Sequence, residues 1–192
     1  GKTLFVTALL RRIEGLGCLK ISPARDWPDG HPNDVEAADR GFYLENADRL
    51  RRPGKDTALY LAEGAKQVER LRHRDDALPL GLAAALARFG PNLPIVVESS
   101  KVVPLLKPVA VVLVVRPPIR EMKPTTRDIL LLVSDVLFNM SNGGTSATTE
   151  IGALQADFPS LRPQYVWSAD LSREPLPPEM LIRLNAVLGK AH

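Results

Sequence analysis

Apolar residues along this chain fall into helical and strand-like runs, and their alternation predicts an α/β protein. Residues 2–15 keep apolar side chains at helical spacing (Leu9, Ile13, then Leu16), and Gly15 and Gly17 predict where that helix stops. Residues 17–22 (G-C-L-K-I-S) predict a short strand. A polar stretch with Pro, Asp, Asn and Gly throughout runs over 23–52. Its middle, 34–50, is compatible with a helix and the rest predicts loop. A loop of this length in a compact domain is usually functional or mobile. The helical period returns over 57–70, with Leu61, Ala65, Val68 and Leu71 on one face and Asp56 where an N-cap belongs. A second helix over 80–89 ends at Gly90-Pro91.

Two runs rich in β-branched residues follow, 94–99 (P-I-V-V-E-S) and 109–115 (V-A-V-V-L-V-V). Continuous rather than alternating apolar runs predict strands covered on both faces, hence a parallel sheet. Thr125 or Thr126 predicts the cap of a helix running to Val133, ahead of a strand over 136–140. A Ser/Gly/Thr-rich connector over 141–149 precedes another short helix. The last strand is expected over 164–168 (Q-Y-V-W-S) and the last helix over 178–188. Strands separated by helices imply βαβ crossovers, so the expected fold is a doubly wound, mostly parallel sheet with helices on both faces. No internal repeat is visible. The Pro-rich 174–178 predicts a connector inside one domain spanning 1–192.

Composition narrows the function classes. At 192 residues and 45% hydrophobic, the chain is long enough for one well-buried core and short for two. The formal net charge of +3 is spread over interspersed acidic and basic residues, which is no nucleic-acid footprint. One cysteine, Cys18 in an apolar stretch, excludes an intrachain disulfide framework and fits a reducing cytoplasm. No segment approaches the roughly 20 apolar residues of a membrane helix, and no signal peptide is visible. His31, His73 and His192 do not cluster with Cys or paired carboxylates at metal-ligand spacing.

The chemistry begins at the first residues. Gly1-Lys2-Thr3 supplies the last three positions of the phosphate-binding P-loop, G-x-x-x-x-G-K-[ST], and the long apolar run after it supplies the helix. Glycine lets the backbone approach phosphate oxygens, lysine brings a charge to the outer phosphates, and the threonine hydroxyl can ligate Mg²⁺. The helix adds the partial positive charge of its N-terminus. The sequence does not open on Met, and an N-terminal strand with the front of the loop is expected upstream. On this reading the fold is of the P-loop NTPase type. A tripeptide that happens to begin a helix is the plain alternative, and the order of downstream elements argues for the functional one.

In open α/β sheets ligands bind at the carboxyl ends of the strands. The residues there are Glu98-Ser99-Ser100, Arg116, Asn139 and Ser168-Ala169. Glu98 ends a buried strand where P-loop proteins keep an acid that holds Mg²⁺ or its bound water, although aspartate is the usual residue. Asn139 and Ser168-Ala169 resemble the base-reading strand ends of GTPases, an Asn-Lys-x-Asp and a Ser-Ala that touches guanine O6. Here Met140-Ser141-Asn142 follows the Asn, so the guanine-specific carboxylate is missing from its expected place. Lys20, at a strand's carboxyl end, needs a partner such as a phosphate or carboxylate, because lysine is rarely buried alone. Asp26, Asp29 and Asp34 in the polar loop are the candidates for a general base.

The stretch P-G-K-D-T-A-L-Y-L-A-E-G-A-K-Q-V, residues 53–68, resembles the Gly-Lys-Asp-Ser/Thr segment and following Ala-Gly-Ala helix of the MobB family of molybdopterin-guanine dinucleotide biosynthesis proteins. The other elements stand in that family's order: G-K-T, a lysine-bearing strand (Leu19-Lys20-Ile21), the G-K-D-T helix, a Val-Val-Glu strand and a β-rich strand ending in Arg116. The match covers roughly residues 1–116. It departs in three places. Ile21-Ser22-Pro23-Ala24-Arg25-Asp26 replaces a histidine-containing segment, Ser99 replaces a glycine, and residues 117–192 extend beyond the typical core. The resemblance implies a divergent accessory protein of molybdenum-cofactor maturation that binds GTP (or ATP) with Mg²⁺ and hydrolyses it slowly at most. It implies nucleotide contacts at Gly1, Lys2, Thr3, Asn139, Ser168 and Ala169, phosphate or substrate contacts at Lys20, Lys55 and Asp56, and Mg²⁺ held by Thr3 and Glu98. The implied partners are the nucleotide, a cofactor-biosynthesis protein and, as a homodimer, a second copy. Two alternatives stand beside it: an ATP-dependent enzyme similar to dethiobiotin synthetase, with Lys20 on a carboxylate or carbamate, and a P-loop-derived scaffold without nucleotide turnover.

Overall fold

The β-branched runs form strands, and the glycines and prolines between them mark the turns. The computed structural model describes residues 1–24, 39–119, 121–140, 146–173 and 175–189. In chain order the elements are α1 (Lys2–Leu10), β1 (Gly17–Pro23), β2 (Phe42–Leu44), α2 (Ala47–Leu50), α3 (Asp56–Ala62), β3 (Gln67–His73), α4 (Leu78–Leu86), β4 (Ile95–Glu98), β5 (Val112–Val115), α5 (Pro124–Arg127), β6 (Asp135–Asn139), α6 (Ala147–Asp157), β7 (Tyr165–Ala169) and α7 (Pro178–Gly189). The chain groups into two compact units, Gly1–Arg12 with Ser100–His192, and Ile13–Ser99. Each is described by itself.

The Ile13–Ser99 unit carries a mixed sheet in the order β2-β3-β1-β4. β1 runs parallel to β3 and to β4, pairing Lys20 with Arg70 on one side and with Glu98 on the other. β2 is antiparallel to β3 at the edge of this otherwise parallel sheet, which fits the mostly parallel arrangement expected. Leu16, Cys18, Leu19 and Leu71 are at most 1% exposed and form the centre of the core. Helix α4 packs on β3 and β2. Gly81 permits that approach, since a Cβ there would lie 2.9 Å from Leu71 Cδ1 and 3.0 Å from Phe42 Cγ.

The helix expected over 57–70 is corrected. α3 ends at Ala62, Gly64 turns the chain at φ +96°, and Gln67–His73 is the strand next to β1. The apolar spacing of Leu61, Ala65, Val68 and Leu71 mimics a helix because it spans two elements. Charged residues hid the strand, and in the structure they are paired. Glu69 accepts from Arg88 at 3.1 Å, while Arg72 and Arg70 lie 3.2 and 3.6 Å from Glu45. Paired charges tolerate burial that isolated ones do not.

The other unit holds a parallel sheet, β5-β6-β7, with Val112 opposite Asp135 and Asn139 opposite Ala169. Its core includes Val115, Met122, Leu130, Val136, Phe138, Leu154 and Leu161, where α6 and the segment before β6 meet the sheet. The expected helix from Thr125 to Val133 is a single turn, α5, capped at Lys123, and a 3₁₀ turn over Leu130–Leu132 follows. Asp135 opens β6 fully buried. It accepts from Ser134 Oγ at 2.7 Å and Trp167 Nε1 at 3.3 Å, and lies 3.8 Å from the Arg183 guanidinium of α7. Arg183 stacks over Tyr165, 4.8 Å from its ring centroid, so one acid ties the last helix to two strands. The chain is thus α/β, a mixed sheet and a parallel sheet flanked by helices. Among the described residues, no helix is long and apolar enough to cross a membrane.

Candidate functional site

The expected contact residues gather into two constellations, one in each unit. In the Gly1–Arg12 and Ser100–His192 unit they collect at the carboxyl ends of the parallel strands. Asn139 is the last residue of β6 and Ala169 the last of β7, and the two are register partners. Asn139 Oδ1 accepts from Leu171 N at 3.0 Å, and Met140 N donates to Ala169 O at 2.8 Å, which locks the two strand exits together. Ser168 is exposed, while Ala169 is buried.

Gly1 sits at the third strand of that sheet. A Cβ built on it would be 3.5 Å from Val114 Cγ1, one residue before the carboxyl end of β5. Gly1 is also the N-cap residue of α1, and neither a side-chain cap nor an acidic residue occupies the first turn. Lys2 is exposed and Thr3 half-buried. An uncapped helix start with a lysine and a threonine in its first turn suits an anion.

Sequence reasoning missed Asp170 at this edge. Its Oδ1 accepts from Ser172 N at 3.0 Å and from the Ser172 hydroxyl, and Arg173 Nε lies 3.9 Å from Oδ2. The Ser172 hydrogen bonds hold its carboxyl below the ordinary range, with the charges of Arg173 and Arg116 adding to the effect. Its position directly after Ser168-Ala169 was the available signal.

The second constellation lies within Ile13–Ser99. Lys20 Nζ on β1 donates to Asp56 Oδ2, at the first turn of α3, and at 3.1 Å to Glu98 Oε2, at the end of β4. Tyr60, one helical turn after Asp56, donates its hydroxyl to the same Glu98 oxygen. Parallel pairing brings Lys20 and Glu98 side by side, because they are register partners. The Lys20 and Glu98 side chains are 13% and 9% exposed, whereas Asp56 is 41% exposed. The cluster therefore supplies Lys20 with carboxylates from its own unit and carries a net single negative charge.

Tyr60 was not foreseen, although its spacing of four from Asp56 puts both on one helix face. Lys55 is the N-cap residue of α3, exposed and without a side-chain cap. Cys18, two residues before Lys20, is buried, and burial with the nearby Glu98 charge pushes its thiol up to about 12. Among the described residues no group of three or more His, Cys, Asp or Glu side chains could hold a metal ion. The candidate bases Asp26, Asp29 and Asp34 lie outside the described residues, as do His31 and His192.

In comparisons with protein-family models, curated proteins and solved structures, nothing matches this chain.

Proposed function

We propose that the chain is a P-loop nucleotide-binding protein that takes GTP in preference to ATP, with Mg²⁺. On this reading it is a divergent, MobB-like accessory factor of molybdenum-cofactor biosynthesis, slow in hydrolysis. One observation carries it: three segments far apart in sequence, at Gly1, Asn139 and Ser168-Ala169, meet the three strands of one parallel sheet at or next to their carboxyl ends. That edge is where open α/β sheets bind ligands.

Lys2 would neutralise the outer phosphates and the α1 N-terminus would receive them. Thr3 Oγ1 would give Mg²⁺ one protein ligand, phosphate oxygens and water completing its shell, as this ion prefers. The Asn139 amide would read the base through its side-chain NH₂, since Oδ1 already accepts from Leu171 N. Glu98, the other expected Mg²⁺ contact, belongs to the Ile13–Ser99 unit, where Lys20 and Tyr60 hold it. The proposal therefore rests on residues of the first unit alone.

Competition against a fluorescent GTP analogue tests it. Unlabelled GTP displaces the analogue at lower concentration than ATP, and Asn139→Ala weakens GTP at least ten-fold while leaving ATP within two-fold, a difference of about 1.4 kcal/mol or more. Equal displacement by GTP and ATP, or an unaffected Asn139→Ala, contradicts the base-reading role.

A further inference from the structure

We infer that the carboxyl end of β3 carries a binding site for a phosphate group, with the guanidinium groups of Arg70 and Arg72 as its ligands. Alternate side chains of a strand share a face, and register partners stand side by side on it. Arg70 and Arg72 therefore share one face of the Ile13–Ser99 sheet with Lys20 and Ser22 of β1 and Tyr43 of β2. Glu45, just past β2, joins the same ladder by donating its N–H to Arg70 O at 3.0 Å.

On this face the arginines outnumber their acid. Arg72 Nε donates to Glu45 Oε1 at 3.2 Å, and Arg70 Nε lies 3.6 Å from that same oxygen, too far for a hydrogen bond. Arg70 Nε is buried and has no hydrogen-bond partner among the described residues, on a side chain only 10% exposed. A guanidinium brings five N–H donors and does not give up its charge, so burial with donors unused is costly. The neighbouring acids are already engaged, because Asp56 and Glu98 both accept from Lys20. Burial raises the Tyr43 phenol, and the charges acting on it are those of Arg72, Glu45, Arg49 and Arg70. Three positive charges against one negative leave a local net charge of +2.

The same face is closed at one end and open at the other. Along β3, Val68 and Arg70 are buried and Arg72 is half-buried, as are Ser22 and Tyr43 beside it. The opening is at the carboxyl ends of β1 and β3, where α/β sheets take their ligands. A planar guanidinium fork matches the paired oxygens of a phosphate or a carboxylate. The local charge of +2 selects the phosphate dianion over a single carboxylate. None of Gly1, Lys2, Thr3, Asn139, Ser168 and Ala169 takes part, so this inference stands apart from the nucleotide reading.

Equilibrium dialysis of the 192-residue chain against radiolabelled inorganic phosphate, at pH 8 and constant ionic strength, tests it. Binding is saturable, and Arg70→Gln and Arg72→Gln each weaken it about ten-fold or more, as loss of charged hydrogen bonds does. Glu45→Gln removes the competing acid and tightens phosphate about three-fold, a gain that a misfolded variant does not produce. Lys2→Ala leaves phosphate binding within about two-fold, and succinate competes poorly. Four results overturn the inference. The first is the absence of saturable binding, and the second is unchanged or weaker binding in Glu45→Gln. The third is binding that depends on Lys2 and not on Arg70, which would place the phosphate at α1. The fourth is displacement by succinate as effective as by phosphate, which would make the ligand a carboxylate. Failure of GTP to bind while Arg70 still holds phosphate would fault the nucleotide reading and leave this inference standing.

Discussion

Replacing Lys20 by Met removes a charge from the Lys20–Glu98 pair while keeping the length of the side chain. The Lys20 and Glu98 side chains are 13% and 9% exposed and 3.1 Å apart. Breaking a buried pair from one side costs about 3–5 kcal/mol, because the remaining charge is stranded. One feature places this case at the low end: Tyr60 still donates to Glu98. Asp56, at 41% exposed, adds little, as exposed ion pairs do.

The expected loss is about 3 kcal/mol, a fall in Tm of about 6–12 °C for a chain of this length. Lys20→Met combined with Glu98→Gln removes both charges and recovers to within about 1 kcal/mol of the wild type. Thermal denaturation of the wild type, both single variants and the double variant at pH 7 reads this. Additive losses in the double variant would refute the reasoning.

Other outcomes follow from the same structure. Burial holds the Cys18 thiol up to about 12 against an ordinary 9.0, so alkylation at pH 8 should run about a thousand-fold slower in the folded chain than in denaturant. Similar rates in both would remove the buried-thiol account. Because the folded pKa is the higher one, the protonated thiol stabilises the fold below pH 9, and that contribution is lost as pH rises toward 12. Asp135→Ala leaves Arg183 and Trp167 without their acceptor and should cost about 3 kcal/mol or more in urea denaturation, whereas a loss under 1 kcal/mol would deny the network its role. Gly41→Ala should destabilise by about 1–2 kcal/mol on backbone grounds alone, since φ is +71° there and a Cβ would meet Ala77 Cβ at 2.8 Å. A neutral Gly41→Ala would mean that the turn relaxes.

Strands carried by predominantly apolar runs were legible: 94–99, 109–115, 136–140 and 164–168 each contain or overlap an observed strand. β3 was not, because Glu69, Arg70 and Arg72 look solvated until Arg88 and Glu45 are seen beside them. β2 was hidden in a polar stretch, a three-residue strand too short to show a period. Asn139, Ala169 and Glu98 do end strands β6, β7 and β4, as the stops of the apolar runs indicated. The partnerships of Lys20 with Asp56 and of Tyr60 with Glu98 depend on how α3 packs beside the sheet. No spacing in the sequence encodes that contact across 36 residues.

The central claim is nucleotide binding through the G-K-T helix start, and titration calorimetry tests it most directly. GTP is titrated into the 192-residue chain with and without Mg²⁺, and into its Lys2→Ala variant. The account predicts saturable GTP binding that strengthens with Mg²⁺ and falls at least ten-fold in Lys2→Ala. No heat with GTP or ATP, or binding indifferent to Lys2, would contradict it.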